Sequence, residues 1–472
     1  GPVAWYEAHL VSEQGWNMYG GTFPGGPVIF HGFNPNLGWA NTVNKPDLID
    51  VYQLNINPFD EDEYLLDGHY RPFEQEVVTI DVKLWGPFAF PARQTIYRSA
   101  HGPVIRTEKG DYAVRWAGMD EYRQLQQYYA LNKARNFAEW QAAMSLVALP
   151  SINYVYGDAE GNIAFLHNAK YPRRAPLWDW QKDLPGDRSE LIWHDYYPLE
   201  AMPFLINPGA GIVFNANNTP FKATNGNDNL RPENYPPGFG LQTNDTNRAL
   251  RLEELTRDLA PVGRQDLLRI KFDKQYSAQS KVAATVREIV AMDWHEVPEL
   301  EAAAQRLAAW DLNTDRHNRA AALGVLTTRS RSDNQVRSGS AQAFRDAVAM
   351  LNRVYGRTDP EWGEVNRIIR GDVDLPVGGA PDVLRAIYPA GIRDDGKLHA
   401  AGGDTHIILA EWDSSGQVSA STIHQFGSAT LDKTSPHYAD QVPLFADEKF
   451  RPVWFNRADI EQHAERRYRP GR

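Results

Sequence analysis

Between Gly20 and Asp50 the chain leaves itself little conformational freedom. The stretch GGTFPGGPVIFHGFNPNLGWANTVNKPDLID sets two short apolar runs, Pro27–His31 and Leu37–Val43, between turns rich in Gly, Pro and Asn. Strands bounded by such turns have their ends fixed in direction. The stretch then delivers a backbone segment, Asn41-Thr42-Val43-Asn44, and closes on two acids three positions apart, Asp47 and Asp50. A main-chain N–H held in this way suits a site where it must point at a substrate oxygen. On pattern alone the same residues also describe a β-hairpin with polar ends.

At 472 residues the chain is long enough to bury a large core, and length alone allows two or three domains or one large β-rich unit. Its 49 basic and 60 acidic residues give a net charge of −11, which argues against a nucleic-acid partner or an anionic membrane surface. No apolar run reaches the 18 or more residues of a membrane span, so no membrane insertion is expected. Cysteine is absent, which removes disulfides, thiolate metal sites and a cysteine nucleophile within this chain. Neither HExxH nor a cluster of histidines points to a catalytic transition metal.

Hydrophobic periodicity orders the rest. VAWYEAHLV reads as a strand already under way. Glu76–Trp85, Gln94–Tyr97, Val104–Arg106 and Tyr112–Trp116 read as strands, with Ser99–Pro103 a turn in which His101 is a packing residue. Helices are expected over Glu121–Asn132 and Asn136–Val147, the second with Phe137, Trp140, Met144 and Val147 on one face. Ile152–Tyr156 and Asn162–His167 form a hairpin across GDAEG. Tyr171–Pro237 is long and irregular, and loops of that kind inside a compact protein tend to be functional. Helical periodicity returns at Leu250–Leu259, Arg264–Phe272, Val282–Met292, Leu300–Trp310 and Ala341–Val354, and the tail from Thr405 goes back to strands. The reading divides the chain into residues 1–250, a mainly helical scaffold at 251–400, and return strands at 401–472.

A second focus is Phe214-Asn215-Ala216-Asn217-Asn218-Thr219-Pro220. A neutral carboxamide can donate to a developing oxyanion without being titrated away; an Asn cluster before Pro is also an ordinary Asx-turn. Arg248, in TNRALRLEEL, sits near the start of a helical pattern, where it is either a surface arginine or a fixed cation aimed at a site. The sequons at Asn217 and Asn244 are too short to carry meaning.

The wording FPGGPVIFHGFNPNLGWANTV followed by D-x-x-D-x-Y resembles the start of the β-chain in the penicillin acylase family, which includes the acyl-homoserine lactone acylases. The likeness continues in order through the N-x-N-N cluster, NGND, GGDT and SPHYADQVPLF. It implies an α+β fold, the Ntn-hydrolase α-β-β-α sandwich of two antiparallel sheets flanked by helices, here with a helical insertion. It also implies hydrolysis of linear N-acyl amides by an N-terminal serine whose own α-amine is the base. The Val43 N–H and the Asn217 Nδ2 would then hold the oxyanion, and Arg248 would orient those groups. Phe23, Tyr128 and Ile152 would line the acyl pocket, where each is equally at home as a core residue. Asp47, Asp50 and Asp228 would join a structural Ca2+ site; on their own Asp47 and Asp50 also read as turn or helix caps.

Gly1 has no side chain to attack a carbonyl. The resemblance therefore places the serine before it, with about 25–30 residues (roughly two strands) of the β-chain preceding this sequence. It further implies an α-chain partner from the same precursor, no organic cofactor, and a periplasmic or secreted enzyme. The fragment alone is then expected to be inactive. The substrate could be a β-lactam side-chain amide, an N-acyl homoserine lactone or another lipid amide. A catalytically dead binding protein that keeps the fold is the rival from outside the enzyme class.

Overall fold

The computed structural model describes residues 5–259, 261–329 and 341–469, so the first residues of the expected strand VAWYEAHLV, Val3 and Ala4, lie outside the described residues. Its centre is an antiparallel seven-stranded sheet. In spatial order the strands are Tyr6–Ser12, Trp16–Thr22, His31–Phe33, Leu37–Thr42, Ser151–Asp158, Ile163–Ala169 and Phe204–Ile206. The Gly-rich opening stretch thus supplies adjacent strands, with Gly32 opposite Trp39 and Phe33 opposite Gly38. Of the two apolar runs expected there, Leu37–Val43 is a strand almost to its end, whereas Pro27–Phe30 is a bend and pairing starts only at His31. Two glycines and two prolines between Phe23 and Val28 deny that run a ladder.

One face of this sheet is covered by the helices Gln124–Lys133 and Phe137–Met144. Asn136 caps the second by accepting from the Glu139 N–H. Its Trp140 is fully buried and meets the rings of Tyr154 and Tyr156, centroids 5.9 and 4.8 Å away. Against the sheet lies a second, three-stranded sheet of His406–Trp412, Val418–His424 and Arg451–Pro452, tied on by Trp412 Nε1 donating to the Pro35 carbonyl at 2.9 Å. Val442–Ala446 packs a helix on that sheet, with Val442 and Phe445 buried against Ile423. The layers run helix, sheet, sheet, helix.

Glu7 staples the two sheets. It accepts from Tyr19 and Arg451 and lies 3.5 Å from His406 Nε2. Burial opposes its charge, but these donors outweigh burial and hold the carboxyl at about 2. Its folded value therefore lies below its ordinary one, so its contribution is complete above roughly pH 4.5. That contribution fades as pH falls toward 2. Acid unfolding followed by circular dichroism should show Glu7→Gln losing part of this dependence between pH 4.5 and 2; an unchanged acid limb would contradict the staple.

The helical part packs Lys281–Val290, Pro298–Ala308, Ala321–Thr328 and Ala341–Tyr355 around its own core of Trp294, Leu307, Trp310 and Phe344. Ala321–Thr328 carried no helical period because it is buried nearly all round; Gly324 lets the Trp310 ring lie on its backbone. The four-stranded sheet formed by Asn366–Arg370, Val373–Pro376, Ile387–Ile392 and Leu398–Gly403 falls largely within the stretch expected to be mainly helical. Its pairing of Ile387–Ile392 with Leu398–Gly403 is broken by register shifts, which erase strict alternation.

Candidate active site

Val43 lies one residue past the strand Leu37–Thr42, and Asn217 lies 174 positions further along the chain. They meet: Asn217 Nδ2 donates to the Val43 carbonyl at 3.0 Å. A carboxamide nitrogen carries two hydrogens, so one remains for a ligand. Val43 is 67% exposed, and its N–H has no partner among the described residues. Two donors from distant parts of the polymer thus come together at the end of one strand.

Asn217 has a left-handed backbone, φ 59°, a conformation Asn tolerates better than most residues. The loop is held there from three sides. Asn217 N donates to Asn215 Oδ1 at 2.9 Å. The same oxygen accepts from Thr42 Oγ1 and, at 3.3 Å, from Asn153 Nδ2. Asn153 Nδ2 also reaches Thr42 Oγ1 at 3.1 Å, and the residue is completely buried. One amide oxygen therefore joins the strand end, the Asn loop and the neighbouring strand Ser151–Asp158.

Arg248 approaches from the first turn of the helix Asn247–Thr256, which Thr246 caps by accepting from Ala249 N. Its Nη2 donates to Asn217 Oδ1 at 3.1 Å and its Nε to Asp382 Oδ1 at 3.3 Å. A cation on the carboxamide oxygen polarises the group and makes its N–H a stronger donor. Asp382 also accepts from Asn247 N at 2.8 Å, which fixes the start of the helix.

Beside this point opens a cleft of about 1000 Å³ between the two sheets. Phe23, Tyr128 and Ile152 all line it, together with Phe30, Val155 and Val43. Phe23 and Phe30 meet at 5.1 Å, and Phe30 and Tyr128 edge to face at 4.9 Å. The Tyr128 hydroxyl accepts from Asn41 Nδ2 at 3.3 Å, and burial raises its pKa. His31, also in the wall, is pushed down to about 3 by burial, with the charge of His406 adding to it. It therefore stays a neutral ring at neutral pH. Such a wall is built for an apolar group.

His101 is fully buried beside Tyr52, ring centroids 4.5 Å apart, and burial takes it down to about 4. It is the packing residue expected.

The expected calcium set, Asp47, Asp50 and Asp228, is not drawn together among the described residues. Asp228 Oδ2 accepts from Gly209 N at 2.6 Å, and among the described residues no three His, Asp or Glu side chains are grouped to hold a metal ion. Asp47 and Asp50 instead share Arg174, with Nη2 at 3.3 Å from Asp47 Oδ1 and Nε at 3.0 Å from Asp50 Oδ2. The residues present do not fit calcium, because a guanidinium already sits between the two carboxylates.

Sequence reasoning singled out Val43, Asn217, Arg248 and the three cleft residues, and the structure brings them together. It missed Asn153, Asn215 as the shared acceptor, Asp382 and Arg174. Only Asn153 carried a visible signal, an amide inside the otherwise apolar strand SINYVY.

Comparison with known proteins places the chain in a wider group. The family model described as penicillin amidase matches residues 1–462. The chain is 25% identical to an acyl-homoserine lactone acylase of Pseudomonas fluorescens, over 98% of this chain and 66% of that protein. It is likewise 25% identical to one of Pseudomonas putida, over 99% and 66%. Penicillin G acylase of Escherichia coli is 28% identical over 44% of the chain and 24% of its own length. The chain thus spans just under two thirds of the length of the curated relatives it matches end to end. In fold it is similar to a thermostable penicillin G acylase from Alcaligenes faecalis, with TM-score 0.71 at 19% identity, covering 99% of this chain and 94% of that one.

Proposed function

Because this chain belongs to the penicillin amidase family, we propose that it is the β-chain of an N-terminal-nucleophile amidohydrolase that cleaves linear N-acyl amides. The observation that carries the reading is the convergence of Val43 and Asn217 at 3.0 Å across 174 positions. Hydrolysis of an amide passes through a tetrahedral oxyanion, and donors already in place stabilise it without reorganisation. The free Val43 N–H and the second Asn217 Nδ2–H are those donors, and Arg248 holds the Asn217 oxygen so that its nitrogen stays on the Val43 side.

The nucleophile is assigned to a serine outside these 472 residues, its own α-amine taking the hydroxyl proton as the oxygen attacks the carbonyl. Thr42, the residue before Val43, carries a hydroxyl, but it donates to Asn215 Oδ1, an amide oxygen that cannot take up a proton. Attack expels the amine, leaves an acyl ester, and water then releases the acid. The chemistry calls for no organic cofactor. The apolar cleft and the acyl-homoserine lactone acylases among the end-to-end relatives favour a lipid-type acyl chain over a small aromatic one. We further infer an α-chain from the same precursor as partner and a periplasmic or secreted location. No helix among the described residues is long and apolar enough to cross a membrane.

The test is to trap the acyl-enzyme. The complete protein is mixed with an N-acyl amide, quenched in acid and digested for mass spectrometry. The acyl group should sit on a serine at a new N-terminus, and the 472-residue chain alone should form no adduct. An adduct on a hydroxyl within residues 1–472, or none under any acyl amide, would overturn the reading; the latter outcome favours a binding protein.

A further inference from the structure

Arg174 stands in the place expected of a cation. Its side chain is only 4% exposed and reaches two carboxylates and a main-chain oxygen: Asp50 Oδ2 at 3.0 Å, Asp47 Oδ1 at 3.3 Å and the Gly238 carbonyl at 2.5 Å. The face of the guanidinium lies 5.5 Å from the Trp180 ring centroid. Asp50 is fully buried at its side chain and also accepts from Trp193 Nε1 at 2.6 Å. Carboxylates and a carbonyl drawn from separate segments around one positive charge are the donor set of a hard-metal site. Here the charge is covalently attached to the chain.

From this we propose that Arg174 is a built-in substitute for a structural divalent cation, so that the protein neither binds nor needs one at Asp47 and Asp50. Calcium takes six to eight oxygens at roughly 2.3–2.6 Å, and here guanidinium nitrogens already stand 3.3 Å from Asp47 Oδ1 and 3.0 Å from Asp50 Oδ2. Asp50 Oδ1 is buried without a donor among the described residues, but one oxygen is far short of a calcium shell. Asp228 accepts from Gly209 N, and among the described residues it does not group with Asp47 and Asp50 into a metal-holding set. A tethered cation also carries no loading step. It needs no supply of metal, and no chelator can remove it.

The position gives the substitution a purpose. Asp47 and Asp50 follow Val43 by four and seven residues, and Asp47 N donates to the Phe239 carbonyl at 3.2 Å. Arg174 therefore clamps the segment leaving the candidate oxyanion site to the turn at Pro236–Gly240. Gly240 is required in that turn, since its φ is +59° and an added Cβ would stand 2.4 Å from that of Asp47. An arginine is suited to this because it stays charged when buried and its planar fork spans several oxygens.

The test reads metal content and thermal stability of the complete protein, and so stands or falls separately from the catalytic reading. Elemental analysis should find calcium well below one ion per molecule, and Tm should be the same in calcium and in chelator. Arg174→Ala leaves the two acids without their cation, and Tm should fall by roughly 5 °C in chelator. Calcium or low millimolar guanidinium added back should restore much of that loss. Should Arg174→Ala not fold, Arg174→Lys serves in its place, with a smaller fall in Tm and no response to chelator. Stoichiometric calcium in the wild type, a chelator-sensitive wild type or lysine variant, or an alanine variant that neither cation rescues would each overturn the proposal.

Discussion

Replacing Asn217 by alanine in the complete protein is expected to lower kcat for amide hydrolysis by roughly 10²–10³-fold, with KM and Tm little changed. The carboxamide is bound to the Val43 carbonyl and to Arg248, not to the hydrophobic core, so its removal takes away the proposed oxyanion donor rather than a packing element. Because the backbone there is left-handed, alanine adds a strain that glycine does not. Asn217→Gly is therefore the matched control and should lose the same factor. Asn217→Asp keeps the shape but replaces the donor by a negative oxygen facing the oxyanion, and should be slower still. If the glycine variant retained its rate within a factor of about three, Asn217 would not be an oxyanion donor on the scale that such groups show.

Trp140→Ala is the change expected to cost most in stability, about 3–5 kcal/mol, as full removal of a buried aromatic typically does. The ring is completely buried against Tyr154, Tyr156, Phe137 and Phe204. Its indole nitrogen has no hydrogen-bond partner among the described residues, so the loss is one of packing. Tyr154 and Tyr156 share a strand with Ile152 and Asn153. The cavity therefore opens behind the residues that line the cleft and brace the Asn loop. Urea unfolding should show a lower midpoint with an unchanged slope. A loss under about 1 kcal/mol would mean the helix layer closes over the gap.

How far the sequence carried depended on what kind of signal each element left. The hairpin across GDAEG was legible because alternation and a tight-turn pair coincide, and Ile152 stands opposite Asn168 within that hairpin. The helix at Pro298–Ala308 was legible because its apolar residues keep one face. The strand Phe88–Ser99 was read only from Gln94 onward, since Pro91 argues against a ladder until it is seen in a two-stranded arm. Within the site, Val43 and Asn217 were reached through wording shared with a family, and nothing local announced that they touch. Arg174 was invisible for a physical reason: its role is set by partners 124 and 64 positions away, and an arginine in a Pro-rich loop looks like any solvated one.

The separation between the two halves of the anion site has a kinetic corollary. No local turn or helix joins the two halves, so the proposed pocket exists only after segments 174 positions apart have docked. Contacts of such long sequence range are slow to form. On dilution from denaturant, helical signal should return well before hydrolysis does. Turnover in the complete protein thus reports the last contacts to close.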